Sequence, residues 1–105
     1  MSDNHTELLR AKINGETSRL PWTELQRFYA GGAVIVVSDT LDLVDVAVRI
    51  AQDDKTAVEK WMKDGLIAKA NDTQAQAWLE ADRSLWAVVV KPWILVQCEK
   101  VQQLH

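Results

Sequence analysis

The chain has 105 residues, the size of one domain, and a chain of that length buries roughly two-thirds of its unfolded surface, enough for a single core. Its hydrophobic fraction of 48% and charged fraction of 26% are ordinary for a globular protein, and the net charge of −3, with both signs interspersed, leaves no basic stripe and argues against a nucleic-acid partner. No apolar run approaches the roughly 20 residues of a membrane span and Met1 to His5 show no basic-then-apolar leader pattern, so a cytoplasmic location without membrane contact is expected.

Taken in order, Leu8, Leu9 and Ile13 predict a helix from Thr6 to about Thr17, weakened near Gly15, with Leu20 beyond it. A second helix begins at Pro21, whose missing N–H costs nothing there, turns Trp22, Leu25 and Phe28 to one side, and stops at Gly31-Gly32. Ala33 to Ser38 is a continuous, β-branched run that predicts a strand buried on both faces. From Leu41 to Gln52 the spacing predicts a helix whose apolar residues, Val44, Val46 and Val48 among them, sweep roughly 220° of arc, about twice what one core contact requires. Such a helix needs cover on two sides, by the sheet and a neighbouring helix or by a second copy of the chain.

Asp53-Asp54 caps a third amphipathic helix with Ala57, Val58, Trp61 and Met62 on one face and Gly65 at its end. Leu66 to Ala70 reads as a short strand with Lys69 facing out. Asn71-Asp72-Thr73-Gln74 is a capping-box signature opening a helix through about Arg83, with Ala75, Trp78 and Leu79 as its apolar face. Leu85 to Val90 and Trp93 to Cys98 are strands divided by Lys91-Pro92. Proline cannot donate to a ladder, so this dipeptide is either a two-residue hairpin loop with a cis bond or a bend in one edge strand, the simpler alternative. The order of elements predicts one α/β domain over residues 1–105, with α+β as the variant. Its small mixed sheet, largely parallel, has three or four strands, with four or five helices packed on it. Residues 1–5 and 99–105 are expected to be mobile.

Several segments together resemble a family of small bacterial cytoplasmic proteins catalogued as a domain of unknown function. They are Glu16-Thr17, Pro21-Trp22 with Glu24-Leu25, Leu41-Asp42-Leu43 with Val46-Ala47, Asp53-Asp54 through Trp61 to Gly65, and Leu85 to Val90 with Pro92-Trp93. The stretch from Trp86 to Gln97 is the most distinctive, and Gly15 stands where the pattern calls for a better helix former. The resemblance implies a bacterial, cytoplasmic, single-domain protein and supplies no activity, cofactor or catalytic residue.

The chemistry-bearing residues are few. Cys98 is the only cysteine, and the two histidines, His5 and His105, lie near the ends, so a thiolate nucleophile and a zinc site are both unexpected. Gly31-Gly32 precedes a strand, whereas phosphate cradles lie between a strand and the following helix. No catalytic residue, metal or cofactor is therefore predicted, and the chain leans away from enzymes. The best-placed polar cluster is Asp39, Asp42 and Asp45 with Ser38 and Thr40, at the carboxyl end of the first predicted strand, where ligands favour open α/β sheets. The structural reading is stronger: Asp39 or Thr40 caps the next helix, Asp42 sits in its first turn and Asp45 pairs with Arg49.

Five of the seven aromatic residues are tryptophan, each on an apolar face at the right period. Core packing is the default for most, and Trp93, beside Pro92, is the one expected to reach an interface. Two functions follow. The first is a non-enzymatic interaction module, homo-oligomeric or bound to another protein, through Trp93, Val44 and Val48. The second is a small-molecule binder or carboxylate-based enzyme using Asp39, Asp42 and Asp45.

Overall fold

β-branched runs and capped amphipathic segments alternate along the chain, and the computed structural model, which describes residues 4–98, shows how they assemble. The elements are α1 (Asn4–Glu16), β1 (Ser18–Pro21), α2 (Trp22–Ala30), β2 (Val34–Val37) and α3 (Leu43–Ala51), followed by α4 (Lys55–Lys63), β3 (Ile67–Lys69), α5 (Asp72–Glu80), β4 (Ser84–Val90) and β5 (Trp93–Gln97). Asn4 and His5 belong to α1, and the remainder of the expected mobile termini lies outside the described residues. Among the described residues no helix is long and apolar enough to cross a membrane.

The fold is α/β, as expected, but among the described residues its sheet has five strands rather than three or four, in the order β1-β4-β5-β2-β3. The added strand is β1, whose four residues Ser18-Arg19-Leu20-Pro21 show no strand pattern of their own and become extended by pairing with β4. The sheet is also mostly antiparallel. Only β2 and β5 run parallel, while β1–β4, β4–β5 and β2–β3 are antiparallel. Val90 pairs with Trp93 across a cis Lys91-Pro92 bond. The two-residue hairpin is therefore the alternative realised, and β4 and β5 lie inside the sheet rather than at its edge.

Strand side chains alternate between two cores. On one face Val37, Val88, Val90, Leu95 and Ile67 pack with Ile13 of α1 and with α3. On the other, Val34, Ala87, Ile94 and Val96 pack with Trp22 and Leu25 of α2 and Trp78 of α5. α1, α3 and α4 thus cover one face, α2 and α5 the other.

This arrangement resolves the wide arc of α3. Leu43, Val44, Val46, Ala47 and Val48 are all buried, with the sheet beneath them and α1 alongside. Val44 at 5% exposure and Val48 at 1% are interior residues of a single chain, so neither offers the interface surface expected of it. The cover is a neighbouring helix, not a second copy. Trp22 and Trp78 are buried, whereas Trp61, Trp86 and Trp93 are half-buried.

Candidate functional site

The turn leaving β2 and the first turn of α3 carry the predicted carboxylates, and the structure separates them. Asp42 is the N-cap of α3, its carboxylate accepting from Val44 N–H at 2.9 Å and Asp45 N–H at 3.4 Å. It takes the capping role expected of Asp39 or Thr40, and Asp39 is exposed. Asp45 accepts from the Arg10 guanidinium of α1 at 2.9 Å, while Arg49, its expected partner, reaches Asp54 at 3.0 Å. Among the described residues, no three of His, Cys, Asp or Glu gather as metal ligands.

A residue from another strand orders this turn. Gln97, fully buried at the end of β5, donates from Nε2 to Ser38 O at 2.8 Å and Leu41 O at 2.6 Å, fastening both ends of the turn to the sheet. Ser38 Oγ and Thr40 Oγ1, 2.9 Å apart, brace it from outside. A glutamine closing the apolar run Trp93 to Val96 is the sequence signal for this role.

A groove in the apolar surface lies elsewhere, where α4 meets the sheet. α4 has its apolar residues at helical spacing, and Asp54 caps it with a carboxylate that accepts from Ala57 N–H at 3.2 Å. That bond, followed by the Arg49 guanidinium, holds the Asp54 carboxyl below its ordinary value. Yet no residue of α4 is buried, and Met62 is 59% exposed. The helix leans on α3 through Val58 and Trp61 and leaves a groove of about 370 Å³ between itself and the sheet.

Ile35, Ile50, Val58, Met62, Ile67 and Trp93 supply its apolar lining, and Asp53, Asp54, Lys55, Glu59 and Lys69 its polar groups. The register accounts for this. Ile35 of β2 lies between Lys69 of β3 and Leu95 of β5, so Ile35, Lys69 and, two residues before Leu95, Trp93 share one face. Lys69 reaches across that row, its Nζ 5.5 Å from the centre of the Trp93 ring. Of the three interface candidates, Trp93 is the one placed beside an opening. The sequence places Val58 and Met62 on one apolar face and turns Lys69 outward, because helical and strand periods report a facing direction and not whether anything fills it.

A second, shallower cleft separates α2 from α5, lined by Trp22, Gln26, Tyr29, Asp72, Ala75, Gln76 and Leu79. Tyr29 donates its hydroxyl to the Asp72 carboxylate, and that bond raises the phenol above its ordinary value. Trp22 Nε1 has no hydrogen-bond partner among the described residues, but the residue is only 2% exposed, so its indole forms the back of the wall.

Comparison with known proteins gives a consistent picture of kinship. A family model described as "Protein of unknown function (DUF2288)" matches residues 8–98. Among solved structures, the NMR solution structure of PA1075 from Pseudomonas aeruginosa is similar with a TM-score of 0.78 and 42% identity, over 100% of this chain and 98% of that one. None of the curated proteins matches.

Proposed function

We propose that this chain, which belongs to the DUF2288 family of proteins of unknown function, is a non-enzymatic protein-interaction module whose contact surface is the groove between α4 and the sheet. The observation that carries the reading is an amphipathic helix with no buried residue, set beside Trp93 over an apolar floor. An apolar groove rimmed by charged side chains has the character of a surface that a partner covers. The groove's size bounds what enters. At the ~30 Å³ each water takes in the liquid, 370 Å³ holds about a dozen non-hydrogen atoms. That is room for one or two large apolar side chains of a partner, with Trp93 as the aromatic anchor of the kind that dominates interface energies.

A photo-reactive side chain at position 62 tests this in cells, with the same group at Leu8, which is 70% exposed on α1, as the control surface. Position 62 should yield protein adducts that Leu8 does not, and Val58→Lys should remove them. Equal labelling at both positions, or none at position 62, sinks the proposal.

A further inference from the structure

β3 ends the sheet, and its backbone bonds show which groups are already committed. Ala70 N–H donates to Val34 O at 3.1 Å and Ser38 N–H donates to Leu66 O at 2.8 Å, with Lys69, Ala68 and Ile67 lying opposite Ile35, Val36 and Val37. Bonded positions alternate in an antiparallel ladder. Leu66, Ala68 and Ala70 therefore face β2, while Ile67 and Lys69 turn their N–H and C=O groups to the open edge, beyond which no described strand lies.

An open edge is a template for another strand, and proteins commonly block it with a short strand or an outward lysine. Here the strand is short, but the lysine is withdrawn. Lys69 folds inward across β2 to the Trp93 ring on β5 instead of projecting past the edge.

We propose that β3 pairs with β3 of a second copy of this chain, antiparallel about a two-fold axis at Ala68, joining the two sheets into one. The register is self-complementary. Ile67 faces the partner's Lys69 and Lys69 faces the partner's Ile67, each pair exchanging its outward N–H and C=O groups. Centring the axis on Lys69 would set lysine against lysine, and centring it on Ile67 would leave Lys69 beyond the partner strand. At Ala68 the axis meets a small, exposed side chain. With the axis perpendicular to the sheet, both α4 helices flank it on the same face, each with its exposed Met62. The contact is smaller than a standard stable interface, so the dimer is weak and concentration-dependent. This deepens the interaction reading by naming one partner, and it uses the sheet edge rather than the groove.

The test is a disulfide. Ala68 opposite the partner's Ala68 is a non-hydrogen-bonded pair, with Cα atoms about 4.5 Å apart, inside the range that a disulfide spans. In a Cys98→Ser background at high protein concentration, Ala68→Cys should form covalent dimer under mild oxidation at least ~10-fold faster than Lys69→Cys, whose thiol would face the partner's Ile67. Ala68→Lys, which sets like charges opposite each other, should abolish the rise of mass with concentration in light scattering while the circular dichroism spectrum stays unchanged. Equal linking at positions 68 and 69, an unaffected Ala68→Lys, or constant monomer mass at all concentrations overturns the proposal. Position 62 adducts that persist in Ala68→Lys would show the groove reading standing without the dimer.

Discussion

Replacing Gln97 by leucine isolates what one buried amide does for the turn that carries Asp39 and Asp42. Gln97 has no exposed surface, and its Nε2 protons go to Ser38 O at 2.8 Å and Leu41 O at 2.6 Å, while Oε1 has no partner among the described residues. Leucine removes both bonds at nearly constant volume, each worth about 1 kcal/mol net. Ser38 O keeps the Leu41 N–H as a donor at 3.0 Å, so its loss is mild, whereas Leu41 O loses the donor that Gln97 gave it, a further ~1–3 kcal/mol. Removing the unpaired Oε1 returns part of this, leaving a net destabilisation of about 2 kcal/mol, or roughly 8–16 °C in Tm for a domain of this size. Urea unfolding followed by circular dichroism measures it, and a loss below ~0.5 kcal/mol would refute the account of the turn as anchored by this side chain. Gln97→Glu supplies a sign check. Burial should raise the new carboxyl above its ordinary value, and only its protonated form can donate. The variant should therefore be most stable in acid and lose stability as pH rises through the raised value.

Two further predictions concern the capping carboxylates. Asp42→Asn keeps an acceptor for Val44 N–H and should leave stability within ~0.5 kcal/mol, while Asp42→Ala should cost about 1 kcal/mol in the same unfolding assay. Equal losses in both would mean that the anionic charge at the N-terminus of α3, rather than the cap bond, is what the position contributes. Asp54 is held below its ordinary value by Ala57 N–H and then by Arg49, so its stabilising contribution is complete above the unfolded carboxyl value, about 4, and is lost as pH falls through the lower folded one. Asp54→Asn should flatten the acid limb of the stability profile, and an unchanged slope would count against that assignment.

The legible features share one property: they are decided within a few residues. The capping box of α5 is present, with Gln74 N–H donating to Asn71 Oδ1 at 2.8 Å and Asn71 N–H donating to Gln74 Oε1 at 3.1 Å. Asp54 caps α4, and α4 and α3 fall where the spacing places them. At the candidate sites the outcome is mixed. Trp93, expected at an interface from its place beside Pro92, lines the groove, whereas Val44 and Val48, surplus apolar surface by periodicity alone, are buried with α1 alongside. The aspartates look like a cluster in the chain because they are near in sequence. A cap bond to Val44 and the arginine of another helix draw Asp42 and Asp45 to different tasks.

By itself the sequence determined the α/β class, the capped helices, the two apolar strand runs and the need of α3 for cover on two sides, since periodicity and side-chain-to-backbone bonds are local. Tertiary structure alone decided the fifth strand, which Ser18-Arg19-Leu20-Pro21 forms only because β4 lies beside it, and the mostly antiparallel order of the sheet. It also decided that α4 stops short of closing on Ile35 and Trp93. Those outcomes depend on partners far apart in the chain, whose pairing energies no local pattern records.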